Sequence, residues 1–143
     1  MVDTLTPLQR SERMSRVRSV NTRPELAVRR IVRALGFSCT LHATDLPGRP
    51  DLVFRRRRKL IFVHGCFWHR HKNVGCRLAR LPKSRLDFWE HKLEANRLRD
   101  IRQRRTLRAA GWKILVVWEC QLRNKERLKN KLETFLGATN ADS

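Results

Sequence analysis

Acidic side chains are scarce in this 143-residue chain: 13 Asp and Glu stand against 33 Lys and Arg, a formal net charge of +20. Long hydrophobic runs are missing too. No apolar segment approaches the roughly 18–20 residues of a membrane span, and residues 1–10 lack the hydrophobic core of a secretory signal. A cytoplasmic location with no membrane partner is the expectation. Internal repeats and low-complexity linkers are also absent, and a chain of this length with 41% hydrophobic content supplies one core rather than two. Cysteine is sparse at four residues, Cys39, Cys66, Cys76 and Cys120. In a cytoplasmic chain these read as metal ligands or buried thiols, not as a disulfide framework.

What the chain has in excess is arginine, which makes up 25 of the 33 cations. The planar guanidinium matches phosphate oxygens bidentately and stacks on bases, so the expected partner is a polyanion, nucleic acid ahead of an acidic membrane surface. The pattern along the chain predicts a basic N-terminal arm over residues 1–20, with a short helix over 7–18 capped by Thr6. One domain over 21–136 and a flexible polar tail over 137–143 follow.

Within that domain a T-x-x-E capping box, Thr22 and Glu25, opens a helix over 23–35 with Leu26, Ile31 and Leu35 facing inward and Gly36 stopping it. Residues 37–42 read as a strand. Residues 51–54 and 60–63 read as a hairpin with the cationic tip 55–59. A second box, Ser84 and Asp87, predicts a helix over 84–110 with Phe88, Leu93, Leu98, Ile101 and Leu107 inside. Residues 112–118 form the most apolar strand, too apolar for an exposed edge. Asn124 caps a last helix over 125–136, with Leu128, Leu132, Phe135 and Leu136 inward. The order implies an α/β fold, a small mixed β-sheet flanked by helices.

Three groups of residues could carry chemistry. Cys66, His71, Cys76 and the distant Cys120 make a Cys3His set of the kind structural Zn2+ prefers, with His69 competing with His71 for the nitrogen position. Cys39 reads as a small buried hydrophobe. Asp51 enters one apolar strand while Val63 and His64 leave its neighbour, so a hairpin brings the carboxylate toward the Val63 carbonyl, His64 and His69. A carboxylate with a main-chain oxygen suits Mg2+, and a neutral imidazole nearby can take a proton from water. The competing reading of Asp51 is a turn cap, and that of Glu25 is the capping box alone. Phe67 and Trp68 are adjacent; on an extended segment one of them faces outward, as a base-stacking wedge would. Ordinary packing competes for both, and is the simpler reading of Trp89.

The segments MSRVRS (14–19), NTRPE (21–25), DLPGRPDLVF (45–54), FVHGCFWH (62–69), AGW (110–112) and VWEC (117–120) together resemble the very-short-patch repair (Vsr) DNA mismatch endonucleases, over roughly residues 10–136. The resemblance implies a restriction-endonuclease-like fold with structural Zn2+. It also implies a Mg2+-dependent nick 5′ to the thymine of a T:G mismatch left by deamination of 5-methylcytosine, and hence a functional link to a DNA cytosine-5 methyltransferase. By position, Asp51 and the Val63 carbonyl would bind Mg2+, His69 would be the general base, and Glu25 and His64 would support the site. Cys66, His71, Cys76 and Cys120 would hold Zn2+, and Phe67, Trp68 and Trp89 would insert beside the mismatch. A single asymmetric lesion needs no two-fold protein, so a monomer is expected. Two other functions fit the composition: a zinc-stabilised DNA-binding module without catalysis, and a nuclease cutting both strands of matched DNA.

Overall fold

The computed structural model describes residues 21–71 and 75–137. The basic arm, its expected helix over 7–18 and the tail beyond Gly137 lie outside the described residues. Helix α1 (Arg23–Ala34) is followed by β1 (Thr40–Leu41), β2 (Leu52–Phe54), β3 (Lys59–His64), a 3-10 turn (Arg77–Ala79) and α2 (Leu86–Ala109). Then come β4 (Lys113–Trp118), a second 3-10 turn (Glu119–Arg123) and α3 (Lys125–Leu136). The strands form one mixed sheet in the order β1-β2-β3-β4, antiparallel except for the parallel pair β3–β4. A parallel pair needs a long crossover, and α2 lies in that connection.

Alternation along β3 sorts its side chains between two layers. Ile61 and Val63 pack with Val28 and Val32 of α1 and Leu128, Leu132 and Leu136 of α3. Leu60 and Phe62 pack with Val53, Trp112 and Leu107 of α2. His64 continues the second series and so faces α2. Leu52, Leu60 and Ile61 are wholly buried, each contributing roughly 1.5–3 kcal/mol. The middle of the sheet is therefore the most deeply buried part of the described residues, and His64 at its end carries the chain from that core into the loops.

Several local expectations change. In α1 the buried positions are Glu25, Val28 and Val32, with Ile31 and Leu35 beside the apolar pair; Leu26 is only half-buried. The Thr22 side chain accepts from the Glu25 N–H (3.3 Å), but Glu25 answers to the Asn21 N–H (3.1 Å), one residue earlier than a standard box. Strand β1 shrinks to two residues because Phe37 leaves the sheet line to pack edge-on against Phe54. Helix α2 starts at Leu86 behind a left-handed Arg85 (φ 57°), so the box at Ser84 does not form. Its buried face is Trp89, Leu93, Asn96, Asp100 and Leu107, while Leu98 is exposed. Strand β4 begins after Trp112 and ends the sheet among the described residues; its apolar side chains are spent on the two faces, not on a further strand. Helix α3 matches its expectation, with the Asn124 side chain accepting from the Arg127 N–H (3.0 Å).

The cationic tip between β2 and β3 is closed on the fold. Arg57 donates to the Leu136 carbonyl (2.8 Å) and Lys59 to that of Phe135 (2.7 Å), at the end of α3. Arg58 donates to the Ala110 carbonyl (2.7 Å), at the end of α2, and lies over the Trp112 ring. Helix C-termini carry unpaired carbonyls and partial negative charge, so three consecutive cations here act as caps.

Candidate active site and metal centre

The opposite end of β3 carries the unusual residues. Cross-strand pairing sets Leu41 against Leu52, and the His42 N–H donates to the Asp51 carbonyl (3.1 Å), so the two residues stand side by side at the head of β2. The Asp51 Oδ2 accepts from the Val63 N–H at 2.7 Å. An extended residue points its N–H and C=O toward the same neighbour, so the Val63 carbonyl opens on the same side as that carboxylate. Gly48, in the loop before Asp51, has φ +78°, and a Cβ there would come within 2.9 Å of Gln103 on α2. The left-handed φ there favours glycine, and the gap between this loop and the helix is a cleft of about 390 Å3 lined by His42, Asp51, Val63, His64, His69 and Asp100 among others.

Asp51 carries an electrostatic load. Burial pushes its carboxyl up to about 7 against the opposing pull of the Val63 N–H, and nearby Glu25 pushes it further the same way. Glu25 itself is buried but well supplied with donors: the Asn21 N–H, Arg29 (3.2 Å) and His42 (2.6 Å). Glu25, His42 and Asp51 offer ligand atoms within 4.8 Å of one another. Two carboxylates and an imidazole at that spacing, one carboxyl forced toward protonation, form a donor set that a divalent cation would discharge.

Across the cleft, His69 Nδ1 meets Asp100 Oδ2 at 2.5 Å. The rings of His64 and His69 stack with centroids 3.8 Å apart and planes 5° from parallel. Burial, reinforced by His69, Arg104 and Arg99, holds His64 well below the usual imidazole range, and its Nδ1 is buried without a hydrogen-bond partner among the described residues. A neutral imidazole thus braces a second one that is oriented by a carboxylate.

Residues 66–71 coil, with the His69 N–H on the Gly65 carbonyl (3.1 Å) and the His71 N–H on that of Cys66 (2.9 Å). The segment is not extended, so Phe67 and Trp68 do not diverge: both are half-buried against Trp89, at 5.4 and 6.1 Å between centroids. Trp89 is 5% exposed and forms their platform; the packing reading of that residue holds for the DNA-free chain. Asn96 ties the platform to the loop by donating to the Trp68 carbonyl (3.2 Å).

The same coil brings Cys66, His71, Cys76 and Cys120 together, with ligand atoms within 4.8 Å. Cys120 Sγ lies 3.6 Å from His71 Nδ1, and a thiolate and an imidazole sharing a tetrahedral zinc at ~2.3 and ~2.05 Å stand about 3.6 Å apart. All four cysteines are free, and burial pushes the Cys66 thiol up. A cluster of thiols and one imidazole, stacked on Trp118 at 4.1 Å, suits a soft-ligand metal. His71, not His69, faces it. Cys39 stands apart, half-buried against the α1–α3 core.

A family model described as DNA mismatch endonuclease Vsr matches residues 2–74. The type II nicking enzyme V.XorIIP of Xanthomonas oryzae pv. oryzae is 52% identical over 136 residues, 95% of this chain and 98% of its own length. The chain belongs to the Vsr family of DNA mismatch endonucleases. Within that family the DNA mismatch endonuclease Vsr of Escherichia coli is 37% identical over 134 residues, 94% of this chain and 84% of its own. The type II nicking enzyme V.NmeAIP of Neisseria meningitidis is 37% identical over 136 residues, 95% of each chain. Membership makes this Vsr protein an endonuclease.

Two site residues escaped the sequence reading. Asp100 had a signal: with Trp89, Leu93 and Asn96 it falls on one helical face, where a polar residue among apolar ones needs a partner. His42 had none, since its place depends on the β1–β2 register.

Proposed function

We propose that the protein is a Mg2+-dependent, strand-specific nickase that cuts 5′ to the thymine of T:G mismatches in double-stranded DNA, with a restriction-endonuclease-like catalytic core and a structural zinc. The observation that carries this reading is one cleft lined by Asp51, Val63, His64, His69 and Asp100 in a chain of this family. The Asp51 carboxylate and the Val63 carbonyl hold the cation. Bound Mg2+ supplies Lewis-acid polarisation of the scissile phosphate and stabilises the leaving oxygen.

His69 is the general base. With Nδ1–H donated to Asp100, its Nε2 carries the lone pair that accepts a proton from the attacking water. Asp100 fixes the tautomer and offsets the imidazolium that forms; the stacked, neutral His64 fixes the ring plane. Glu25, held by Arg29, lends negative charge to the cation site. Zn2+ on Cys66, His71, Cys76 and Cys120 locks the coil that presents Phe67 and Trp68, and these, with Trp89 beneath them, wedge into the stack beside the mismatch. The arm 1–20 and the arginines of α2 hold the phosphates; a T:G lesion in methylated DNA links the enzyme to a cytosine-5 methyltransferase. The enzyme acts as a monomer.

Asp51→Asn tests this assignment. It abolishes nicking of a T:G duplex in Mg2+ and leaves affinity for that duplex nearly unchanged, because phosphate contacts made elsewhere supply most of the binding. Nicking by Asp51→Asn at the wild-type rate would refute it.

A further inference from the structure

His42 is absent from the ligand set that the family resemblance implies. Yet the β1–β2 register puts it beside Asp51, with its backbone N–H on the Asp51 carbonyl (3.1 Å), and its side chain reaches Glu25 Oε2 at 2.6 Å. Its backbone is left-handed (φ 49°), an uncommon state for a non-glycine residue that the surrounding structure must impose. That state turns the chain from β1 into the loop of Gly48 while leaving the imidazole, about one-quarter exposed, at the wall of the cleft. Glu25 has its Oε1 on the Asn21 N–H and its Oε2 on Arg29, and is thereby fixed against α1.

We propose that His42 is a nitrogen ligand of the catalytic cation, and that the site consequently favours Mn2+ or another borderline first-row ion over Mg2+. The inference rests on the reading of Asp51 as the cation-binding carboxylate. Mg2+ sites are built from oxygens and water, whereas imidazole raises affinity along the first-row series. With its one proton on Nδ1, neutral His42 would offer the Nε2 lone pair to the ion, beside the carboxylate oxygens of Asp51 and Glu25. The ligand atoms already lie within 4.8 Å of one another, so only side-chain adjustment is needed.

The test titrates Mn2+ into zinc-loaded wild type, His42→Asn and Asp51→Asn, following free Mn2+ by electron paramagnetic resonance and displacing it with Mg2+. Asparagine tolerates the left-handed backbone, so His42→Asn keeps the loop. The expected result is a loss of Mn2+ affinity of about tenfold or more in His42→Asn, with Mg2+ affinity little changed, and loss of both ions in Asp51→Asn. Pulsed measurements on bound Mn2+ show imidazole nitrogen coupling in wild type that His42→Asn removes. Unchanged Mn2+ affinity in His42→Asn, or an equal loss of both ions, overturns the role of His42 while Asp51 stands. Full retention of both ions by Asp51→Asn overturns the Asp51 reading, and this inference with it.

Discussion

The two ends of β3 carry charge in opposite ways. At the Lys59 end, Arg57, Arg58 and Lys59 spend their charge on the carbonyls that finish α3 and α2. At the His64 end, roughly 17 Å away for five residue steps, Asp51, His64, His69 and Asp100 border an open cleft, and the Asp51 carboxyl there is forced up to about 7. The first end is a closed electrostatic circuit that stabilises the fold. The second holds a carboxyl whose charge is disfavoured by burial and by Glu25, at the expense of stability. A run of arginines was the louder sequence signal, but in this hairpin much of it is architecture.

The most damaging change should fall on the group Cys66, His71, Cys76 and Cys120. Zn2+ held there would contribute on the order of 10 kcal/mol, as large as the whole stability of a typical domain. Cys76→Ser or a strong zinc chelator should therefore unfold the chain, and metal analysis of the intact protein should find about one zinc per chain. Folded, fully stable protein without zinc would overturn the assignment. Next in size, His69→Ala should slow single-turnover nicking by about 10²- to 10⁴-fold, the span of general-base contributions. Asp100→Asn should fall in the lower part of that range, without change in DNA affinity. Equal rates for wild type and either variant would remove the dyad from the mechanism.

At the capped end the signs reverse. Arg57→Met or Lys59→Met should cost about 1–2 kcal/mol of stability, read as a lower melting temperature, while nicking below that temperature is unchanged. A loss of nicking without a loss of stability would assign the tip to DNA instead. Stability should also depend on pH. Asp51 has a folded-state pKa raised above the ordinary carboxylate value; the folded chain binds its proton more tightly than the unfolded chain does. The stability linked to that proton is complete below the unfolded value near 4 and is lost as pH rises toward about 7. The melting-temperature gain of Asp51→Asn over wild type, without Mg2+, should therefore grow across that window. A constant difference would show that the carboxyl is not strained.

The site was more legible in the sequence than the elements that carry it. FVHGCFWH and DLPGRPD place histidines, a cysteine and an aspartate next to short apolar strands, with Gly48 supplying a left-handed turn (φ +78°), and such motifs announce themselves locally. Helix α3 was also legible, because its cap and its apolar stripe agree. The start of α2 was not: Ser84 and Asp87 have the right spacing, but Arg85 adopts a left-handed turn that places the helix start two residues later. His42 was hidden because its place depends on the β1–β2 register, and Asp100, though marked as a polar residue on an apolar helical face, gave no hint of its partner His69, 31 residues away. The packing of Phe67 and Trp68 on the same side, against Trp89, was not legible because it follows from coiling of residues 66–71, where an extended backbone would separate adjacent side chains.

The central claim is that the His64 end of β3 cuts one strand at a mismatch with the aid of a cation. It is tested most directly by incubating a T:G duplex, each strand labelled separately, with the zinc-loaded enzyme, with and without added Mg2+, and resolving the products on a denaturing gel. The account predicts a single cut 5′ to the thymine, in the thymine strand alone and only when the cation is present. Cleavage of both strands, equal cleavage of a matched T:A duplex, or an undiminished rate without divalent cation would contradict it.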